Sequence, residues 1–334
     1  DLLSRELVST RPRDIAKSVQ RMSDFYIENP LAATPWSEKW CFEAQLFYYL
    51  PLNVLRAKCA MHRLDLAQLG STFTRVVDFG AGLGTVFWAL QECLGDGVFA
   101  QKRLLFSELS GQARNFLQTQ FPPAQLWQVG ARSLASSLTS EDLACFSYSM
   151  TEEILGQESL TDLPYFLVIE PSTQEDGRKL MVLRNEAIAR GLHVRGPCTH
   201  TETCPLLAGS SKDWCHDRMH FEKPDWLLEV ERHLPFRNDT LTFSYLMANR
   251  SPLVSAHVDA KLEAPVYRVV GDTLPERGKT RQLVCGNSRR EFLSWLQRHG
   301  EPPVIPRGAL VTVPTDAKRV SDEIRIESPL HFRV

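Results

Sequence analysis

A short stretch between residues 74 and 94 limits the fold of this chain most, because it reads as strand, turn and helix in immediate succession. The β-branched run RVVDF predicts a buried strand, and Gly80, Gly82 and Gly84 follow it directly. Glycines accept backbone dihedral angles that other residues avoid, and they let a ligand approach the main chain. The helical pattern that follows Gly84 adds unsatisfied N–H groups at its first turn. The stretch therefore predicts a ligand-binding βα unit.

Strands and helices continue to alternate after this unit. Further strands are predicted in KRLLFSELS, AQLWQV, LACFSYSM, YFLVIEP, LHVRG and LTFSYLMANR. Such alternation is typical of a parallel α/β sheet with helices on both faces. We therefore predict a helical N-terminal region over 1–70, an α/β domain over 71–254 and a β-rich C-terminal extension over 255–334. One segment of the extension, SRREFLSWLQRHG, has the spacing of a helix.

Composition sets outer limits on function. Lys and Arg number 38 against 40 Asp and Glu, so the net charge of −2 does not by itself indicate a nucleic-acid partner. No run of eighteen apolar residues occurs, so we predict no membrane partner. Eight cysteines in 334 residues are too few for a disulfide scaffold. Their clustering favours metal binding, which is typical of a reducing compartment.

The densest group of metal-binding side chains lies in GPCTHTETCPLLAGSSKDWCHD, within a predicted insert over 196–225 between the last two strands of the sheet. Cys198, Cys204 and Cys215 are spaced more widely than the paired cysteines of zinc knuckles. A closed site needs a fourth ligand, and Cys285 is the best remote candidate. An insert with so few apolar residues gains order from a metal centre rather than from burial.

The identity of this metal centre stays open on the residues alone. Four thiolates suit zinc or an iron–sulfur cluster about equally, and the Cys204–Pro205 step leans toward a cluster. His200 or His216 can also replace one thiolate. The remaining cysteines lie in apolar patterns and are predicted to be buried, inert thiols: Cys41, Cys59, Cys93 and Cys145.

The glycine turn resembles motif I of the class I S-adenosylmethionine (SAM) methyltransferases. In that family the glycines line the methionine end of SAM, and an acid ending the second strand binds the ribose. The resemblance implies SAM contacts from Asp78, Gly80, Gly82, Gly84 and Glu108. The alternative is a glycine turn that only packs the strand against the helix. The later strands lack the usual adenine-binding Asp and the Asp/Asn-Pro-Pro-Tyr pattern, so no catalytic residue is predicted.

Six motifs taken together resemble the methyltransferase-like family of mitochondrial ribosomal small-subunit assembly factors. They are VVDFGAGLGT, FSYSMTEEIL, LVIEPST, GPCTHTETCPL, DWCH and FSYLMANR, in this order. The resemblance implies a class I methyltransferase-like (Rossmann-like) fold in the mitochondrial matrix, bound to immature small-subunit rRNA and to ribosomal proteins of the assembling subunit. It also implies a [4Fe–4S] cluster held by Cys198, Cys204, Cys215 and Cys285.

Three functions follow from these observations. The leading hypothesis is an assembly factor that binds rRNA, with SAM as a bound ligand. The second is an active SAM-dependent RNA methyltransferase, and the third is a zinc-stabilised methyltransferase acting on a protein or a small molecule. The candidate RNA contacts, each with a surface or packing role as its alternative, are Arg184, Arg190, Arg195, Arg218, Lys223, Arg289, Arg290, Arg298 and Arg307, with His220, Phe221 and Trp226 as stacking candidates.

Overall fold

The structure, a computed structural model, describes residues 11–29, 32–122, 125–130, 135–150, 160–250, 265–286 and 288–334. Parts of the predicted N-terminal region, of the FSYSMTEEIL motif and of the C-terminal extension lie outside these ranges. The chain forms two compact units. The first comprises Asp1–His62, Leu66–Gly156 and His220–Leu241, and the second comprises Arg63–Asp65, Gln157–Met219 and Thr242–Val334. Within the described ranges, no helix has both the length and the apolar character needed to cross a membrane.

The described residues before the first strand are largely helical. Helix α1 (Pro12–Glu28) begins with proline, whose missing N–H is harmless in a first turn. It buries Ile15, Val19 and Met22, which the 3.6-residue period places on one face. Helix α2 (Lys39–Ala44) continues through a π-helical turn (Gln45–Tyr49) into α3 (Leu50–Arg63), and the short α4 (Leu66–Leu69) follows.

The first unit contains a parallel sheet with helical crossovers. Its strands are β1 (Arg75–Phe79), β2 (Arg103–Ser107), β3 (Leu126–Gln128) and β4 (Asp142–Ser147), in the order β3-β2-β1-β4. All three pairings are parallel. Helices α5 (Thr85–Leu94), α6 (Asp96–Phe99) and α7 (Gly111–Gln120) connect them. The predicted α/β class is therefore confirmed.

The second unit contains a smaller group of strands around one long helix. Strand β5 (Tyr165–Glu170) precedes α8 (Gln174–Ala189), which leads to β6 (His193–Gly196). Both strands pair antiparallel with β8 (Thr240–Asn249). Between β6 and β8 the chain forms α9 (Pro205–Gly209) and β7 (Asp217–His220), followed by α10 (Asp225–Glu231), which belongs to the first unit. Gly191 follows the end of α8 with a φ of 78°, the left-handed conformation in which glycine often terminates a helix.

Seven further strands occupy the described residues after 265. They are β9 (Val266–Glu276), β10 (Lys279–Cys285), β11 (Glu291–Leu296), β12 (Leu310–Thr312), β13 (Arg319–Val320), β14 (Glu323–Arg325) and β15 (His331–Arg333). The predicted helix SRREFLSWLQRHG is wrong, because its centre is β11. Leu293 and Trp295 alternate into a core, and β11 pairs with β10 on one side and β14 on the other. Only a 3-10 turn, Gln297–His299, remains helical.

Candidate functional site

The first unit carries a cavity of about 820 Å³ around the glycine turn. We call it the glycine-loop pocket. Gly80, Gly82 and Glu108 line it, whereas Asp78 and Gly84 do not. The structure therefore brings three of the five predicted SAM contacts together on one surface. Its volume lies within the range of small-molecule binding sites.

The glycine turn depends on left-handed φ angles, which residues other than glycine adopt only with strain. Gly80, Gly82 and Gly84 all have left-handed φ angles, of 68°, 51° and 82°. A Cβ on Gly84 would lie 2.7 Å from Cδ2 of Leu117, so α7 packs against the turn closely. Glu108 secures the same turn, since its carboxylate accepts from the N–H groups of Gly82 (2.8 Å) and Ser110 (2.7 Å).

Asp78 lies beneath the turn and not in the pocket. Its side chain is 1% exposed, and neither carboxylate oxygen has a hydrogen-bond partner among the residues that the structure describes. Burial, with a further contribution from the charge of Glu108, raises the pKa of Asp78 well above its ordinary value. The neutral, protonated acid is therefore the form that this environment favours.

Other residues that line the glycine-loop pocket were not predicted as ligand contacts from the sequence. Trp36, Gln45 and Asn53 contribute from the helical region. Tyr148 contributes from the end of β4, with an unusual φ of 60°. A tyrosine held in the left-handed region stores backbone strain, which is often found at functional sites. In the sequence, Tyr148 lies near the end of a predicted strand of the parallel sheet. Ligands bind at the carboxyl ends of such strands, so its position could have indicated a pocket residue.

The second unit carries a much smaller cavity, of about 40 Å³, which we call the cysteine cavity. All four predicted ligands line it: Cys198, Cys204, Cys215 and Cys285. They arrive from the end of β6, the start of α9, the approach to β7 and the end of β10. His200 and His216 line the same cavity, and Nε2 of His200 lies 3.3 Å from Sγ of Cys285.

One face of α8 holds the insert in place. Arg184 donates to the carbonyls of His200 and Glu202, and the amide oxygen of Asn185 accepts from the N–H of Cys204 at 3.2 Å. Arg178 donates to the carbonyls of Ser210 and Asp213, both at 2.9 Å. Arg178 and Asn185 are seven residues, or about two turns, apart and so lie on one side of the helix, with Arg184 beside Asn185. The sequence shows the positions of these polar side chains on α8, but it does not show which segment they contact.

Electrostatics in the cysteine cavity favours neutral thiols while leaving cations nearby. Burial raises the pKa of Cys215 to about 12, and the charge of Arg268 opposes that rise. Burial also raises the pKa of Cys204 and of Cys285, and Arg184 opposes it for both. A metal centre would displace these protons, and the two buried guanidinium groups would then face thiolates.

The donor set fits a soft metal centre, since four thiols from separate segments face one enclosed space. In the described part of the chain, no group of three or more His, Cys, Asp or Glu side chains has the arrangement needed for a single ion. On donor type alone, four thiols suit either a zinc ion or an iron–sulfur cluster.

The predicted RNA contacts differ in their exposure. Arg184 and Arg195 are wrong as phosphate contacts, because both are buried and engaged with neighbouring protein groups. Lys223 is largely covered between Glu231 and Asp239. Arg307 is covered to the same extent, beside Asp272. Those that remain at least partly exposed are Arg190, Arg218, Arg289, Arg290 and Arg298, with His220, Phe221 and Trp226.

A comparison with protein families decides the relationship of the chain. The model of the family described as mitochondrial small ribosomal subunit Rsm22 matches residues 65–301, more than half of the chain. The chain belongs to this family. The predicted membership in a methyltransferase-like mitoribosomal family is thereby confirmed. Membership in the Rsm22 family implies a mitochondrial protein associated with the small ribosomal subunit.

Solved structures similar to this Rsm22 family member include methyltransferases of low sequence identity. The plantazolicin methyltransferase BamL, in complex with a triazolic desmethylPZN analog and S-adenosyl-homocysteine (SAH), is 10% identical, with 72% of this chain and 98% of that chain covered at a TM-score of 0.37. TrmK of M. capricolum in complex with SAH is 11% identical, with 57% and 68% covered at a TM-score of 0.32. Similarity at this level does not extend to function. No curated protein matches the chain.

Proposed function

We propose that this protein is an assembly factor of the mitochondrial small ribosomal subunit. It acts in the matrix, binds immature small-subunit rRNA and meets the ribosomal proteins of the assembling particle. The observation that carries the proposal is the extent of the family match. Residues 65–301 include both the glycine turn and all four cavity cysteines, so the family pattern spans both candidate sites.

SAM is the proposed ligand of the glycine-loop pocket. Gly80 and Gly82 let the ligand approach the backbone, and Glu108 presents a carboxylate beside them. SAM supplies a methyl group, but the assembly role needs it only as a bound ligand. A ligand that binds the folded state stabilises it by mass action, so SAM should raise the melting temperature. Thermal unfolding with and without SAM tests this part.

A [4Fe–4S] cluster is the proposed occupant of the cysteine cavity. Cys198, Cys204, Cys215 and Cys285 would hold it, and when bound it supplies four metal–thiolate links between segments distant in sequence. Arg184 and Arg268 would balance part of the negative charge of the thiolates. Iron and sulfide analysis of protein purified without oxygen tests the identity. About four irons with matching sulfide support the cluster, whereas one zinc per chain supports the zinc alternative.

The assembly role itself is tested by binding to small-subunit rRNA. Wild-type protein should bind an rRNA transcript, and Cys204→Ser should bind it less well because the insert loses a metal ligand. Cys93→Ser is the matched control, since Cys93 does not line the cavity. Equal binding by wild type and Cys204→Ser would show that the metal centre is not needed for rRNA binding. No binding by wild type would contradict the assembly role.

An RNA methyltransferase is the second candidate, favoured by Tyr148. This residue lines the glycine-loop pocket at the carboxyl end of β4 in a strained conformation. Incubation with labelled SAM and small-subunit rRNA tests for methyl transfer. Incorporation into the RNA that is lost in Tyr148→Phe would support the enzyme, and no incorporation despite SAM binding would support the assembly role alone.

A further inference from the structure

The strands after residue 265 follow a recognisable path. β9, β10 and β11 form an antiparallel meander, and β11 then pairs in parallel with β14. β12 pairs antiparallel with β9, and β13 pairs antiparallel with β14. No strand separates β12 from β13 along the chain, so the two take the place of one interrupted strand. This is the connectivity of the five-stranded, partly open OB barrel.

A common core shows that the sheet curls around on itself. Tyr267, Val284, Leu293, Val311 and Ile324 come from five different strands and belong to one buried cluster. A flat sheet would keep the outer strands apart. Local features permit the curl, because the β9–β10 register shifts between Gln282 and Val284. A Cβ on Gly271 would lie 2.7 Å from Cβ of Leu283, so the strands also approach closely there.

The outer side of β10, β11 and β14 carries arginines around one phenylalanine. Since Val284, Leu293 and Ile324 point into the core, their neighbours Arg281, Phe292 and Arg325 point outward. The Arg281 guanidinium lies 4.4 Å from the centroid of the Phe292 ring. Arg290 lies over the same ring at 5.7 Å. We give the name arginine–phenylalanine face to the partly exposed Arg281, Arg290 and Arg325 together with Phe292, whose ring is buried.

The barrel is basic although the chain is not. Residues 265–334 contain twelve Arg and Lys against eight Asp and Glu, a formal charge of +4 in a chain of net charge −2. Arg281 pairs with Glu276 and Glu323, and Arg290 pairs with Asp213, so exposed loop residues carry much of the available charge. Arg277, Arg298 and Lys318 are exposed in loops bordering β10, β11 and β13.

Two backbone hydrogen bonds locate these loop cations at the borders of the face. The N–H of Gln297 donates to the carbonyl of Gly278 at 3.0 Å, which joins the turns that carry Arg298 and Arg277. The N–H of Arg325 donates to the carbonyl of Lys318 at 2.8 Å. Cations thus flank the arginine–phenylalanine face at two borders.

We propose that the arginine–phenylalanine face binds an unpaired segment of RNA, a proposal that rests on the rRNA-binding role above. Arg277, Arg298 and Lys318 contact phosphates, and a base stacks on the outer plane of the Arg281 guanidinium. Unpaired bases stack readily on arginine and aromatic side chains, whereas duplex RNA keeps its bases inside the helix. Strands two and three with their flanking loops are also the side on which OB barrels bind oligonucleotides.

The phosphate contacts are tested by charge reversal in the full chain. Fluorescence anisotropy with a labelled single-stranded oligoribonucleotide should show about tenfold weaker binding for Arg277→Glu/Lys318→Glu. The slope of log affinity against log salt should fall by roughly 1.4, since two single-strand phosphate contacts are lost. Arg13→Glu/Lys39→Glu is the control, with the same change in charge at exposed helical positions, and should bind like wild type. Equal loss in both double variants would overturn the proposal.

The stacking contact is tested by Arg281→Lys, which keeps the positive charge but removes the planar group. Binding of the single strand should weaken several-fold, with an unchanged salt slope. An unchanged affinity would overturn the stacking role, and tighter binding of the matching duplex than of the single strand would overturn the preference for unpaired RNA.

Binding of the small-subunit rRNA transcript separates the role of the arginine–phenylalanine face from the assembly role. If wild type binds the small-subunit rRNA transcript and Arg277→Glu/Lys318→Glu binds it equally well, the face is wrong and the assembly role stands. If wild type binds neither the transcript nor the single strand, both proposals fail. Binding of the transcript that weakens in Arg277→Glu/Lys318→Glu but not in the control supports both.

Discussion

Glu108 has both carboxylate oxygens engaged before any ligand arrives. They accept from the N–H groups of Gly82 and Ser110, so the acid organises the glycine turn as well as facing the pocket. A charge-assisted hydrogen bond contributes about 1.5–3 kcal/mol. We expect Glu108→Gln to weaken SAM binding by about tenfold or more, measured by titration calorimetry. Glu92→Gln, at an exposed helical position, should bind SAM like wild type, and equal affinities in all three proteins would contradict the role of Glu108.

The buried carboxyl of Asp78 affects how stability depends on pH. Its folded-state pKa is raised above the ordinary 3.8, so folding favours the protonated form, and stability is lost as pH rises from 3.8 through the folded value. We therefore expect Asp78→Asn to raise the free energy of unfolding at neutral pH by about 1–3 kcal/mol. The gain should shrink below pH 3.8. Urea unfolding at both pH values measures it, and destabilisation at neutral pH would show that the charged acid has a partner.

The sequence predicts pocket residues correctly where they follow neighbouring parallel strands. The glycine turn and Glu108 lie next to each other because parallel strands end at one edge, so Gly80, Gly82 and Glu108 line one pocket as expected. The residues alone offered Cys285 only as the best remote candidate for a fourth ligand, and the family resemblance implied the same set, since no local pattern encodes its convergence with three cysteines more than sixty residues away. Trp36 was missed for the same reason: its place at the pocket depends on tertiary packing.

Among secondary-structure elements, α8 determines the order of the insert. Arg184 is buried and donates to two carbonyls of the insert, so its removal leaves both without these donors. We expect Arg184→Ala to reduce the free energy of unfolding by about 2–4 kcal/mol. Hydrogen exchange should accelerate at the backbone amides of 198–206.

The control for this prediction lies on the same helix. Lys179 is substantially exposed and pairs with Glu175 one turn earlier, so Lys179→Ala should change stability by less than about 0.5 kcal/mol. If exchange in the insert stays as slow in Arg184→Ala as in Lys179→Ala, other contacts hold the insert.

The segment that forms β11 was predicted as a helix because its apolar residues fit two periods. Phe292, Trp295 and Leu296 have the spacing of a helical face, while Leu293 and Trp295 have the alternation of a strand. Short apolar segments fit both periods, and neighbouring strands decide between them. β10 and β14 supply hydrogen-bond partners on both sides of β11, and that pairing cannot be read from the segment itself.

At the scale of the whole molecule, a buried ionic triad joins distant parts of the chain. Asp217 pairs with Arg63 and with Arg268, and all three side chains are almost fully covered. Removing the acid leaves two buried guanidinium groups facing each other. We expect Asp217→Asn to lower the free energy of unfolding by about 3–5 kcal/mol, measured by urea unfolding.

The pH dependence of the triad has a definite sign. The charges of Arg268 and Arg63 offset the effect of burial and hold the pKa of Asp217 below its ordinary value of 3.8. Its contribution is therefore present above pH 3.8 and lost as pH falls through the folded value. Asp272→Asn is the control, because Asp272 is about half exposed and should contribute less than about 1 kcal/mol. Equal effects of the two substitutions would contradict a buried, essential triad.

Alternate residues of strand β10 point to opposite sides of the sheet and have different roles: one set packs in the core, and the other faces outward. Gln282 and Val284 point inward, where they are buried. Arg281 faces the aromatic ring of Phe292, Cys285 lines the cysteine cavity, and Leu283 packs against the buried cluster that contains Cys285. Tolerance to mutation along β10 should therefore follow the parity of the residue number. Even positions should accept replacements that preserve volume, and odd positions should accept only those that preserve chemistry. A single slip of register in this strand would exchange the two sets and abolish both tasks at once.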